Sequence, residues 1–204
     1  MSSVYQKSQR TKSISLINNN NPVFYGSPGG NDYLKKPRDF VLRETSKNIF
    51  APIRTDVIEY FKQNKISWWG GKTPTGHVLS SQIACINHLF QIRNDKSAVL
   101  SILRNISSEF KNVLQIQTDN FVPSFIQFES VSDNDNLNEG KPTRGSGCTS
   151  IDALIYAVHK DRTKWLIPIE WKYTEFYNNQ NKASEGCSED PINCKGEVRK
   201  KRYT

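Results

Sequence analysis

The chain has 204 residues, of which 36% are hydrophobic and 24% charged, and this length and composition predict a globular chain with one sizeable core rather than a disordered one. No run of about 18 apolar residues occurs, and the polar, basic N-terminus lacks the apolar segment of a secretory signal, so we expect a cytoplasmic protein with no membrane span. The formal net charge of +8 favours a polyanionic partner such as nucleic acid, with a merely soluble basic surface as the alternative.

Residues 1–50 are predicted to form a basic, loop-rich N-terminal arm. They show no sustained periodicity, and turn-forming residues are concentrated in "NNNNP" and "GSPGGND". A solvated tail without a ligand is the alternative interpretation of this arm. Its basic side chains could contact phosphates: Lys7, Arg10, Lys12, Lys35, Lys36 and Arg38.

Helical patterns follow the arm. In "TDVIEYFKQNK" the spacing of Asp56 and Glu59 is that of a capping box, which predicts the start of a helix there. Apolar residues recur at helical spacing over about 79–92, and a further helix is predicted over about 97–107 with Ser97 as its N-cap. We therefore expect three helices before the first clear strand.

The segment "ISWWGGKTPTG" separates the first two of these helices. Its glycines and proline end regular structure. Trp68 and Trp69 could stack on bases, although a tryptophan beside a turn more often anchors the core.

Strand patterns dominate the second half. "FVPSFIQFES" predicts a strand with Glu129 at its far end, and a polar loop follows. Strands over about 150–158 and 165–174, joined by a turn in "HKDRTK", predict an antiparallel hairpin. Residues 181–204 are predicted to form a basic, loop-rich C-terminal segment without a clear closing element, as expected either of a shortened chain or of an end that becomes ordered only on a partner.

The hairpin gathers three charged residues at one place. Glu170 and Lys172 share one face of the second strand, and Asp152 comes 18 positions before Glu170, so a turn centred near position 161 sets the two carboxylates opposite each other. Two carboxylates in a partly buried sheet repel unless a cation lies between them. Carboxylate oxygens of this kind suit Mg²⁺. Because such an ion activates water and neutralises charge on a phosphodiester, the pattern predicts phosphodiester hydrolysis.

An Asp on one strand with Glu-x-Lys on its hairpin partner resembles the PD-(D/E)XK nuclease superfamily. The stretches "GHVLSSQIACINHLF", "TSIDALIYAV" and "IEWKYTE" resemble a bacterial family of restriction endonucleases. This resemblance covers roughly residues 70–180. It implies a nuclease-like core over 51–180 with an α/β, restriction-endonuclease-like fold, in which helices flank a mixed central β-sheet with an antiparallel active-site hairpin.

The resemblance also implies roles for individual residues. Asp152 and Glu170 would bind Mg²⁺, the main-chain carbonyl of Trp171 would complete the protein ligands, and Lys172 would position the attacking water. Double-stranded DNA is the implied substrate and a homodimer the implied assembly. The predicted phosphate contacts in the core region are Lys72, Lys141 and Arg144.

The sequence departs from the superfamily pattern in two places. The first core helix lacks the additional Glu that often faces the metal, and either Gln82 on that helix or Glu129 could take its place. For Glu129 the alternative is a solvated strand end. Ile151 stands where a proline is expected before Asp152.

Other functions remain open from the sequence. The fold could serve as a non-catalytic nucleic-acid-binding module, or as a nuclease that acts on RNA or branched DNA. The histidines are too far apart for a metal site and are predicted to be structural: His77, His88 and His159.

The cysteines form no CxxC pair and are most simply free thiols in a reducing compartment: Cys85, Cys148, Cys187 and Cys194. A small loop or zinc site at Cys187 and Cys194 has no second ligand pair nearby. A Cys–His nucleophilic dyad built on Cys85 or Cys148 has nothing in the sequence to orient it.

Overall fold

The computed structural model describes residues 4–19, 22–69, 71–117, 122–131 and 150–175. Several predicted features lie outside these residues: the phosphate contacts Lys141 and Arg144, the segment 181–204, and Cys148, Cys187 and Cys194. Within the described ranges, no helix has both the length and the apolar character needed to cross a membrane.

The described residues form four α-helices and six strands. The helices are α1 (Val4–Asn18), α2 (Ala51–Gln63), α3 (Ser81–Leu89) and α4 (Lys96–Ile106), with short 3-10 turns at Pro22–Phe24, Thr45–Asn48 and Phe90–Ile92. The strands are β1 (Asn31–Tyr33), β2 (Lys36–Arg38), β3 (Phe110–Leu114), β4 (Ile126–Ser130), β5 (Ile151–His159) and β6 (Lys164–Ile169).

The long strand β5 is the centre of the main sheet. Along one edge it pairs first with β3 and then with β4, so Leu114 lies opposite Tyr156 and Ile126 lies opposite Ile155. Along its other edge it pairs with β6. The consecutive strands β3 and β4 thus share one edge of β5, and an antiparallel bridge joins Ile116 to Ser124 in the chain between them.

Every strand pair in the described part of the chain is antiparallel, which corrects the prediction of a mixed sheet. Parallel neighbours need a long crossover, usually a helix, between them. The described helices all precede β3 in the chain, so they are not placed to serve as crossovers within this sheet. The coarser expectation of helices flanking a central sheet is met.

Helices α2, α3 and α4 pack their apolar sides against the main sheet. Phe61, Ile86 and Leu103 from the three helices form one buried cluster with Phe128 and Ile155 from the sheet. Burial of each such side chain contributes about 1.5–3 kcal/mol to stability. This cluster fixes the N-terminal end of α3 relative to β4 and β5.

The hydroxyl of Tyr60 ties α2 directly to β4. It accepts a hydrogen bond from the amide of Phe128 at 3.0 Å, in a fully buried position. Because a buried amide without a partner costs about 1–3 kcal/mol, this contact stabilises the strand just before Glu129.

Two helix starts differ from their predictions. Helix α2 begins at Ala51 with proline in its first turn, so Asp56 lies inside the helix and the capping box is wrong. Helix α4 is capped by Asp95, whose Oδ1 accepts hydrogen bonds from the amides of Ser97 and Ala98 at 2.9 and 3.0 Å. Ser97 is therefore not the N-cap, since a carboxylate two residues earlier satisfies the same free amides.

The described residues before position 50 contain more regular structure than the predicted loop-rich arm. Helix α1 covers Val4–Asn18, and β1 and β2 form a hairpin. The helix was missed because its apolar residues form no continuous stripe: Ser13 and Ile17 are its buried residues. Arg10 places its guanidinium carbon 4.6 Å from the centre of the Phe40 ring, so a tertiary contact supports this helix.

Candidate active site

The β5–β6 hairpin places Asp152 and Glu170 as the sequence predicts. The last backbone pair of the two strands is Ala153 with Ile169, and one position further the same register sets Asp152 opposite Glu170. Strand β6 ends there rather than near residue 174. Beyond this pair, the amide of Trp171 donates to Oδ2 of Asp152 at 2.6 Å, so the hydrogen bond to the end of β5 is made by a side chain rather than by the backbone.

Glu129 lies on the other side of Asp152. The β4–β5 pairs Phe128 with Ala153 and Ser130 with Ile151 flank these two residues, which therefore face each other. Glu129, Asp152 and Glu170 consequently form a row of carboxylates across three neighbouring chain segments. The sequence predicted that Asp152 and Glu170 lie together and left Glu129 as one of two candidates for a further carboxylate or its replacement.

The electrostatics of Asp152 agree with this row. Burial raises the pKa of Asp152 to about 6; the Trp171 amide counteracts the rise, and the charges of Glu170 and Glu129 add to it. The charge of Lys172 lowers the same pKa more weakly. A cation beside Asp152 would relieve this repulsion and favour the ionised carboxylate.

Glu129 is buried, with 5% of its surface exposed, so its interpretation as a solvated strand end is wrong. Gln82 Nε2 donates to Glu129 Oε1 at 2.8 Å, and the Ser150 hydroxyl donates to Oε2 at 2.7 Å. Oε1 of Gln82 in turn accepts from the amide of Trp69 at 3.0 Å. The two residues predicted as alternatives, Gln82 and Glu129, are thus in direct contact.

Glu129 also has a left-handed backbone, with φ of 50°. A residue with a Cβ reaches this conformation at a cost of about 1–2 kcal/mol. Strain of this kind is concentrated at functional sites, which adds weight to the choice of Glu129 as a site residue.

Glu170 and Lys172 lie nearer the solvent. They form an ion pair, with 60% of the Glu170 side chain and 47% of the Lys172 side chain exposed. The charge of Lys172 also helps to lower the pKa of Glu175. Lys172 therefore pairs with Glu170 and also acts on the charge of Glu175.

Ser81 and Glu175 form a contact that the sequence did not indicate. Ser81 donates its hydroxyl proton to Glu175, and the amides of Tyr173 and Thr174 donate to Oε2 of Glu175 at 2.9 and 3.1 Å. Burial alone would raise the pKa of Glu175, but the hydrogen bonds from Ser81 and from backbone amides lower it. This contact joins the first turn of α3 to the chain after β6.

Most of these site residues, but not Glu170, line a cavity of about 370 Å³. One side, which we call the acidic wall, consists of Glu129, Asp152 and Glu175. Another part of the lining, which we call the aromatic wall, consists of Tyr33, Phe40, Trp69 and His77. Gln82 and Lys172 also line the cavity, whereas Lys72, a predicted phosphate contact, is exposed.

The histidines have separate surroundings. The ring of His88 packs 5.2 Å from that of Trp171, and Nδ1 of His159 lies 3.0 Å from a carboxylate oxygen of Asp161 in the β5–β6 turn. His77 belongs to the aromatic wall. As the sequence predicts, the three histidines do not gather at one place.

Cys85 is buried in α3 beneath the acidic residues. Burial, and then the charges of the three carboxylates in the row, raise the pKa of its thiol well above the usual range. A thiol held neutral in this way is a poor nucleophile, which speaks against a Cys85–His dyad.

The acidic wall offers carboxylate ligands for a magnesium ion but no complete set of protein ligands. Among the described residues, no three Asp, Glu, His or Cys side chains converge as a ready-made ligand group. Mg²⁺ is usually held by one or two carboxylates, with water and substrate phosphate as the other ligands. Asp152 with one neighbouring carboxylate meets that requirement.

The fold and this site are compatible with a restriction-endonuclease-like protein. A family model described as "restriction endonuclease associating with ARP" matches residues 5–204, and the chain belongs to that family. No curated protein and no solved structure matches the chain. The family indicates a nuclease role.

Proposed function

We propose that this protein is an endonuclease of the PD-(D/E)XK type that hydrolyses DNA phosphodiester bonds with Mg²⁺. The observation that carries the proposal is the row of Glu129, Asp152 and Glu170 across three neighbouring chain segments, with Lys172 beside it. This combination supplies oxygen ligands and a cation at one end of a sheet, as phosphodiester hydrolysis requires.

Asp152 is the central ligand in this proposal. It would hold Mg²⁺ together with Glu170 and the main-chain carbonyl of Trp171. The amide of Trp171 fixes the Asp152 carboxylate through its 2.6 Å hydrogen bond, so the ligand is oriented before any ion arrives. When bound, Mg²⁺ would neutralise charge on the phosphodiester and acidify the attacking water.

Lys172 and Glu129 complete the proposed machinery. Lys172 would orient the attacking water and stabilise the negative charge that develops on the phosphate. Glu129 would supply a third carboxylate, which Gln82 and Ser150 hold in one orientation. In this proposal Gln82 is therefore a positioning residue rather than the replacement for the glutamate that the helix lacks.

Double-stranded DNA is the proposed substrate. The family is one of restriction endonucleases, and the net charge of +8 favours a polyanion. Binding through basic side chains would weaken steeply as the salt concentration rises. A homodimer, which a palindromic site calls for, stays a prediction.

The test is cleavage of plasmid and linear duplex DNA with Mg²⁺ and with EDTA. We expect cutting only with Mg²⁺, and a Lys172→Ala variant that cuts at least about 100-fold more slowly. Lys164→Ala is the matched control, because Lys164 is an exposed lysine on β6 at the far end from Asp152. Cutting that persists in EDTA, or equal rates for Lys172→Ala and Lys164→Ala, would overturn the assignment.

A further inference from the structure

The two adjacent tryptophans have different environments. Trp68 is 6% exposed and stacks on Phe61 with ring centres 3.8 Å apart and planes at 10°, so it anchors the core. Trp69 is 45% exposed and lines the same cavity as the acidic wall. Core packing therefore explains Trp68 and leaves half of the Trp69 surface open.

The rings of the aromatic wall contact one another. The His77 ring lies 4.8 Å from Tyr33, 5.1 Å from Phe40 and 5.8 Å from Trp69, measured between ring centres. Burial and the charge of Arg10 lower the pKa of His77 to about 4. At neutral pH this imidazole carries no charge, so all four rings of the aromatic wall are uncharged.

Backbone contacts hold this wall in place. The amide of Leu42 donates to Gly76 O at 2.9 Å, and the amide of Val78 donates to Phe40 O at 3.2 Å. A Cβ at Gly76 would lie 2.3 Å from Leu42 O, so only glycine permits this close approach. The wall is therefore formed before any ligand binds.

A basic side chain reaches the same cavity from α1. Arg10 lines it, with its guanidinium carbon 4.6 Å from the centre of the Phe40 ring. Its Nε is buried and has no hydrogen-bond partner in the described part of the chain. A buried donor of this kind favours a ligand with an acceptor atom.

We propose that the aromatic wall binds one nucleobase that is unstacked from its neighbours, beside the phosphate that the acidic wall would attack. The inference rests on the proposed function and narrows its substrate to DNA in which a base can leave the stack, either extruded from a duplex or single-stranded. A base inside a duplex has both faces covered, whereas an extruded base offers a face to aromatic side chains.

The dimensions and chemistry of the cavity match such a ligand. Its volume of about 370 Å³ lies within the range of small-ligand pockets, roughly 300–1,000 Å³. Arg10 supplies a donor for a base or phosphate oxygen. The amide of Trp69 is bonded to Gln82, which also holds Glu129, so a base on Trp69 lies next to the acidic wall.

The test measures binding without cleavage. Fluorescence anisotropy in EDTA compares a thymidine 12-mer with a 12-mer of the same charge whose bases are replaced by abasic sites. Stacking of one base changes affinity by about tenfold, so we expect the thymidine 12-mer to bind about ten times more tightly. Trp69→Ala should remove this difference, and Trp69→Phe, which keeps a ring, should retain most of it.

Trp165→Ala is the matched control, because Trp165 is 48% exposed and lies on β6 outside the cavity. It should preserve the tenfold difference. Equal affinity for the two 12-mers, or equal losses in Trp69→Ala and Trp165→Ala, would overturn the proposal. These outcomes are independent of cleavage: a protein that discriminates bases but never cuts contradicts the proposed function alone, and one that cuts without discrimination contradicts the base pocket alone.

Discussion

The two walls of the cavity are built in different ways. The acidic wall depends largely on strands paired in one register, so the position of Asp152 in β5 fixes that of Glu129 in β4. The aromatic wall joins residues from β1, from the chain after β2 and from the segment between α2 and α3. A site on paired strands can be inferred from spacing, whereas a site assembled from separate loops becomes visible only in three dimensions.

The largest expected effect comes from breaking the acidic wall. Asp152→Asn keeps the shape of the side chain and can still accept the Trp171 hydrogen bond, but it removes the central negative charge. We expect Mg²⁺-dependent cleavage to fall by at least about 10³-fold, since metal ions supply several kcal/mol of transition-state stabilisation. Initial rates on a plasmid substrate measure this loss.

Asp56→Asn is the control for that substitution, because Asp56 is an exposed carboxylate within α2. It should cut at the parental rate. If Asp152→Asn keeps more than about a tenth of the parental rate, Asp152 is not the central ligand and the metal site must be sought elsewhere.

The next effect comes from breaking the aromatic wall. Gly76→Ala would place a methyl group 2.3 Å from the backbone oxygen of Leu42, so the two chain segments must separate. Forced overpacking of this kind costs about 1–3 kcal/mol of unfolding free energy, measured by urea denaturation. We also expect Gly76→Ala to weaken the preference for bases over abasic sites. An unchanged urea midpoint would show that the wall is not held by this contact.

The smallest effect concerns the pH dependence of stability in the metal-free protein. Because burial raises the pKa of Asp152 from 3.8 to about 6, its contribution to stability is greatest below pH 4 and is lost as the pH rises through about 6. Asp152→Asn has no such loss. Since Asp152 is only half-buried, we expect the variant to gain about 1 kcal/mol relative to the parent between pH 4 and pH 8.

Urea denaturation in EDTA at the two pH values measures this gain. A stability difference between variant and parent that does not change from pH 4 to pH 8 would contradict the raised pKa. Loss of activity together with a gain in stability also separates a site defect from misfolding.

Sequence reasoning succeeded where neighbouring residues decide the structure. The 18-residue separation of Asp152 and Glu170 and the turn between them predicted the register of the hairpin. Alternation along the second strand puts Ile167, Ile169 and Trp171 on the face opposite Glu170 and Lys172, and all three pack against the core. Both results depend on the period of two in a strand.

Prediction from the sequence failed where contacts between residues far apart in the chain determine the structure. Helix α1 carries no apolar stripe, so its pattern resembled a solvated tail, yet Arg10 reaches Phe40 and the cavity. The buried state of Glu129 depends on Gln82, 47 positions earlier in the chain. Local patterns hold no information about either contact, because tertiary packing alone brings these residues together.

The buried, left-handed conformation of Glu129 affects which variants a selection for stability would favour. This residue combines a buried carboxylate with a left-handed backbone, and glycine would adopt that backbone without the cost of about 1–2 kcal/mol. A screen of random variants for heat resistance alone is therefore expected to enrich Glu129→Gly, and the survivors should be inactive. The sequence that best withstands heat and the sequence that best cuts DNA would then differ at this position.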